Sequence, residues 1–284
     1  MPLDQVDVDA LARREAEMSF LEHLEELRWH IIRAGAAILV LAVAVFVAKD
    51  FVFGSIVLGP TQSDFATYRF FCGLSGRLGL GEAMCIVVPE FDWVTPVFGE
   101  QFLVHIRVSI ILAFIASFPY VFWEFWRFVK PGLYEAEQKA ARGTVAICST
   151  LFLLGVLFGY FVIAPFAVTF LMDYSLPGVR AAPALSSYID YLALFTVPAG
   201  IVFQLPVFVY FLTRVGLLTS DFLRQYRRHA IVVLLALSAM ITPPDVITQV
   251  LLGLPLFGLY EASILVAKRV ERSNAEREAA ASLN

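Results

Sequence analysis

Six long apolar stretches punctuate this chain, and stretches of that kind leave few folds open. They run Ile31–Ala48, Phe102–Phe122, Thr144–Phe170, Tyr188–Leu212, Ala230–Ile241 and Val250–Ala267. A hydrocarbon core about 30 Å thick takes about 20 apolar residues to cross as a helix, and a helix satisfies its own backbone there. Composition agrees, since 59% of the 284 residues are hydrophobic and 16% charged, far from soluble averages. The pattern predicts an all-α, polytopic membrane protein with six transmembrane helices. Charged residues from Glu22 to Arg28 precede the first stretch, Lys49-Asp50 closes it and no small-residue cleavage site follows. It therefore reads as a span and not as a cleaved leader.

Basic residues set the orientation. They gather before the first span (Arg13, Arg14, Arg28), after the second (Arg127, Lys130, Lys139, Arg142) and after the fourth (Arg214, Arg224, Arg227, Arg228). The tail adds Lys268, Arg269, Arg272 and Arg277, whereas the alternate loops hold few. Both termini are expected in the cytoplasm, with three loops outside. The chain divides into an acidic, disordered start (1–18), a six-span domain (19–268) and a charged cytoplasmic tail (269–284). Within the domain an amphipathic helix is expected at 19–30 on the cytoplasmic surface and a long outer loop at 50–100. That loop holds Cys72 and Cys85, which either pair in an oxidising compartment or stay as thiols, because spacing alone does not fix disulfide geometry. Cys148, inside the third span, reads as a small apolar residue.

The last two spans are short. Ala230–Ile241 reaches about 18 Å at about 1.5 Å per residue, so the bilayer is expected to thin locally or the flanking Arg227 and Arg228 to snorkel. Pro165, Pro198, Pro206 and Pro255 fall in or near spans and predict kinked helices. Polar residues at such depth are costly and become candidates by default: Gln204 in the fourth span and Glu261 in the sixth. Glu261 alternatively pairs with the basic inner end near Lys268, and Gln204 alternatively ties its span to a neighbour. Nothing points to catalysis, a cofactor, a metal or nucleic acid. There is no nucleotide loop, no His-Glu-x-x-His helix and no Gly-x-Ser-x-Gly elbow, and His23 and His30 lie seven apart on what reads as a surface helix.

Two acidic clusters fall on the otherwise basic cytoplasmic side. The first is Phe20-Leu-Glu-His-Leu-Glu-Glu-Leu-Arg28, with Phe20, Leu24, Leu27 and Ile31 forming an apolar stripe at helical spacing. The second follows an aromatic run with Trp123, Trp126 and Tyr134, read as an interfacial belt; there Pro131-Gly132 turns the chain toward Glu135 and Glu137. Acid at both places suggests a cationic ligand.

These motifs resemble the TatC family, the polytopic subunit of the twin-arginine protein translocase. Phe20–Arg28 is similar to its entry motif, Phe125-Trp-Arg-Phe-Val-Lys-Pro-Gly-Leu-Tyr-Glu-Ala-Glu137 to its first cytoplasmic loop, and Ser238-Ala-Met-Ile-Thr-Pro-Pro-Asp-Val-Ile-Thr-Gln249 to its last outer turn. The resemblance covers residues 19 to about 268. It implies a multi-pass protein of the bacterial inner membrane that binds twin-arginine signal peptides of folded cargo. It also implies TatA-like and TatB-like single-span partners, a homo-oligomer within a larger complex, contact with membrane lipid, and export driven by the proton-motive force. On the matching positions, Glu26 and Glu137 take the two arginines, Phe128 and Pro131 shape the loop, and Arg28 orients Glu26. Many relatives place a glutamate where this chain has Gln204, so Gln204 with Pro206 is read as a docking point for a partner helix. Asp245 and Gln249 are secondary candidates for such contact, or caps of the sixth span. A secondary transporter or channel for a small solute is the competing reading; no internal repeat supports it.

The orientation is directly measurable. In a background without the native cysteines, Ala280→Cys is expected to react with an impermeant maleimide only in inside-out vesicles and Asp64→Cys only in intact cells. Labelling of both from one side contradicts the topology.

Overall fold

The computed structural model describes residues 20–79, 81, 85, 88, 92–129, 143–174, 176–178, 182–241 and 246–281. Among these the protein is helical, with one isolated parallel bridge between Val94 and Ala184. Helix α1 is Phe20–Val47, α2 Ala66–Arg77, α3 Glu100–Val129, α4 Thr144–Phe158, α5 Ala164–Asp173, α6 Leu185–Val202 and α7 Leu205–Arg214. Then follow α8 (Ser220–Gln225), α9 (Arg227–Ile241) and α10 (Val246–Ala281). Among the described residues, four helical runs are long and apolar enough to cross a membrane: Leu24–Val47, Glu100–Val129, Thr144–Asp173 and Leu185–Arg214.

The structure differs from the expectations in three places. The acidic stretch is not a separate helix, because α1 runs unbroken for 28 residues from Phe20 to Val47. The stretch expected as an outer loop contains structure of its own: a wide π turn at Val52–Val57, a 3-10 turn at Gly59–Thr61, and α2. Helix α9 is 15 residues, about 22 Å, and remains short. Helix α10, which carries the sixth apolar stretch, has 36 residues and is long because its polar end continues past Ala267.

Two of the prolines stand where spans break and three do not. Pro119, Pro198 and Pro255 lie inside α3, α6 and α10. Pro165 instead opens α5 directly after a π turn at Gly159–Ile163, and Pro206 lies in the first turn of α7 after α6 ends at Val202. In a first turn the missing N–H costs nothing. Wide turns leave carbonyls that lipid cannot satisfy, and phenols supply the donors. Tyr160 donates to Ile56 O and Tyr188 to Val57 O, each at 2.6 Å, and Tyr68 to Pro60 O at 2.6 Å. Cys72 on α2 is bonded to Cys85, with Cα atoms 4.3 Å apart, which closes the chain end beyond α2 onto that helix.

Between helices in lipid the hydrophobic effect is weak, so close packing and polar contacts hold the bundle. Helices α4 and α6 meet through glycine. A Cβ on Gly155 would lie under 3.0 Å from Ala199 O and Gly200 Cα, one on Gly159 would strike the Phe195 carbonyl, and one on Gly200 would lie 2.8 Å from Phe152 and Val156 side-chain atoms. The Phe152 ring stacks on Phe118 of α3 at 3.6 Å between centroids. One apolar cluster joins the α5–α6 region to α7, α9 and α10 through Ala167, Phe195, Val209, Leu234 and Leu256. A second joins the Val52–Val57 turn to α3, α5 and α6 through Val57, Val104, Val168 and Ile189. An ion pair between Arg107 and Asp190 links α3 to α6 beside it.

Gly159→Val is expected to push α4 from α6 and cost about 1–3 kcal/mol, the usual range for overpacking. Gly35→Val, where a Cβ meets nothing within 4 Å, is expected to be neutral. Thermal unfolding of the two variants in detergent checks this, and equal midpoints contradict the close approach.

Candidate functional site

The candidate site lies where α1 and α3 come together at the α1 N-terminal and α3 C-terminal ends. Helical periodicity brings the participants to one face: on α1, Glu26 and His30 are four apart, and on α3 Tyr120, Glu124 and Phe128 are each four apart, one turn per step. Glu124 is 1% exposed and His30 6% exposed. His30 Nδ1 lies 2.5 Å from Glu124 Oε2, and the Tyr120 hydroxyl donates to Glu124 Oε1 at 2.9 Å. Arg127 Nη1 stands 4.0 Å from the same Oε1, its guanidinium 4.8 Å above the Trp123 ring.

On its other side the His30 ring meets two residues named by the sequence. Its Nε2 is 3.8 Å from Glu26 Oε1, and its ring meets that of Phe128 edge-on at 6.2 Å. An ionised carboxylate accepts only, so His30 donates from Nδ1 to Glu124. The Glu26 side chain is 40% exposed, leaving carboxylate surface open to a ligand. Arg28 is exposed on the same helix, and the side chain set against Glu26 is that of His30. Pro131 and Glu137 lie outside the described residues, as does Asp245.

His30 therefore does not sit on an open surface as the sequence suggested; it is buried, because α3 covers that face of α1. Trp126, expected in an interfacial belt, is 9% exposed and packs against Phe211 of α7 at 5.4 Å. Trp123 is 41% exposed.

The remaining candidates are placed apart from this junction. Gln204 is 7% exposed and its Nε2 donates to the Cys148 carbonyl of α4 at 3.1 Å, at the step between α6 and α7 that Pro206 follows. Glu261 of α10 pairs with Arg227 of α9, its Oε1 2.8 Å from Nε and its Oε2 2.9 Å from Nη2; Lys268 is not its partner here. Gln249 Nε2 reaches the Leu235 carbonyl of α9 at 3.4 Å. Beyond the bundle, Glu271 accepts from the Ser220 N–H at 2.7 Å and its hydroxyl at 2.5 Å, and Arg214 donates to Asn274 at 2.5 Å, so the polar end of α10 braces α7 and α8.

Sequence reasoning missed His30, Glu124 and Tyr120. A carboxylate within a strongly apolar run was the available signal, and its four-residue spacing to Tyr120 and Phe128 would have placed all three on one face.

Known proteins match this chain along most of its length. A TatC of Blattabacterium sp. subsp. Periplaneta americana, a Sec-independent protein translocase protein, is 37% identical over 259 residues, covering 90% of this chain and 97% of that protein. The corresponding protein of Aquifex aeolicus is 32% identical over 261 residues, covering 91% and 98%. Two crystal structures of the twin arginine translocase receptor TatC superpose with TM-scores of 0.66 and 0.62 at 30% identity, covering 87% and 88% of this chain and 99% of each. With the family of Sec-independent protein translocase proteins matching residues 22–255, the chain belongs to the TatC family.

Proposed function

We propose that the joined ends of α1 and α3 form the receptor for twin-arginine signal peptides, on the cytoplasmic face of a six-span inner-membrane protein. A single observation carries the reading: Glu26 and Phe128, on different helices, meet the same buried imidazole. That makes one preorganised surface of an acid and an aromatic ring, half-open to solvent. A guanidinium is planar, permanently charged and able to engage a carboxylate through two parallel N–H groups. Its flat face also stacks on aromatic rings. Glu26 takes one arginine; Glu137, in the segment after α3, takes the other, and Pro131 shapes that segment.

The protein is a component of the twin-arginine translocase and not an enzyme. Family membership displaces the small-solute transporter. The remainder of the proposal follows from the family: folded cargo moves with the proton-motive force, TatA-like and TatB-like partners assemble with the chain, and copies associate in a larger complex. For the partner helix, the α6–α7 step at Gln204 and Pro206 is the proposed docking point. Gln204 already spends one amide hydrogen on Cys148, so it offers a partner its remaining polar atoms and no charge. The pairing of Arg227 with Glu261 makes Glu261 a brace between α9 and α10 in this reading, and Gln249 acts similarly. The Cys72–Cys85 bond fits an outer loop in an oxidising compartment.

Glu26→Ala and Glu137→Ala are each expected to weaken binding of an Arg-Arg signal peptide about 10- to 100-fold, from roughly 1.5–3 kcal/mol per charged hydrogen bond. The folded protein should persist, and a Lys-Lys peptide should bind weakly throughout. Binding isotherms with the protein in nanodiscs check this; equal affinity for the two peptides, or no effect of either substitution, contradicts the receptor.

A further inference from the structure

We propose that His30 and Glu124 are positioning residues for signal-peptide recognition: a buried pair that holds Glu26 and Phe128 in the relation an arginine needs. The proposal rests on the reading that Glu26 binds arginine.

Geometry places the pair one helical turn behind each contact residue. His30 follows Glu26 by four residues on α1, and Glu124 precedes Phe128 by four on α3, so the His30–Glu124 contact at 2.5 Å ties together the two turns from which the contact residues project. The Glu124 carboxylate is held at both oxygens, by His30 and by the Tyr120 hydroxyl. A fully engaged carboxylate has little freedom to rotate, and neither has the imidazole it holds. The fixed ring then presents Nε2 toward Glu26 at 3.8 Å and an edge toward Phe128. A free glutamate on a helix surface samples many rotamers, and orienting it in advance removes that cost from binding.

The buried acid stands on the far side of His30 from the half-exposed one, so the ring is gripped from the interior and its open edge faces Glu26. Arg127, 4.0 Å from Glu124 and seated over Trp123, adds its charge on the Glu124 side. Helices α1 and α3 also meet through apolar rings such as Phe46 and Phe102, so replacing the pair leaves other packing between them.

The test compares four forms of the full-length protein in nanodiscs: parent, Glu26→Ala, the paired substitution His30→Gln with Glu124→Gln, and the triple variant. Gln at both positions keeps size and hydrogen bonding without charge. Affinities for Arg-Arg and Lys-Lys signal peptides are measured for each. The paired variant is expected to bind the Arg-Arg peptide about tenfold more weakly, within the range for coupled neighbours, and to lose most of its preference over Lys-Lys. In the Glu26→Ala background it should add nothing. Binding equal to the parent, or an equal loss with and without Glu26, overturns the positioning role and leaves the receptor reading standing. Parent-like binding by Glu26→Ala overturns both. Should the paired variant not assemble, Tyr120→Phe removes one donor to Glu124 and no packing. It is expected to lower Arg-Arg affinity only when Glu26 is present, and no change with Glu26 present overturns the proposal.

Discussion

Hydrocarbon supplies no hydrogen bonds, and most of this architecture answers that constraint. At the widened turns among the described residues, side chains from other elements satisfy carbonyls that the break exposes. Tyr160 and Tyr188 serve the π turn at Val52–Val57, and Tyr68 the turn after it. Gln204, at the step between α6 and α7, reaches α4. Because each bond crosses between elements, the breaks fasten the bundle together. The glycine contact of α4 with α6 adds dispersion at the shortest separation the backbones allow.

The same constraint gives the α1–α3 junction its character. A carboxylate as buried as Glu124 survives there only with partners, and it has them at both oxygens. Those partners extend outward in a chain from Tyr120 through Glu124 and His30 to Glu26, from the interior to a half-exposed acid. In the proposed receptor that chain carries rigidity from the packed bundle to Glu26, and telling a guanidinium from an ammonium depends on such rigidity, because the distinction is one of planar geometry and not of charge.

Much of the fold was legible because hydropathy reports burial in lipid directly: the first four apolar stretches coincide with α1, α3, α4–α5 and α6–α7. Boundaries were less legible, and the site was lost at them. Ending the second stretch at Phe122 put Glu124 outside a span, although α3 continues to Val129. Starting the first at Ile31 left His30 on a surface helix, although α1 is unbroken. Charged residues lower the local hydropathy that draws the boundary, so polar residues that matter at a span's end are trimmed away from it. Glu26 and Phe128 were named through family resemblance, and the structure sets both against the His30 imidazole. The spacing Gly155-x-x-x-Gly159 was present in the sequence and went unread, since its meaning depends on the partner surface of α6.

The central claim is that arginine recognition occurs at the α1–α3 junction. The most direct measurement places a photo-crosslinking residue beside the arginine pair of a signal peptide and maps its adducts on the full-length protein by mass spectrometry. The account predicts adducts at residues 24–28 and around Phe128, competed by excess Arg-Arg peptide and not by its Lys-Lys version. Adducts concentrated at the opposite end of the bundle, around Arg107 and Asp190, or a pattern indifferent to the arginines, would contradict it.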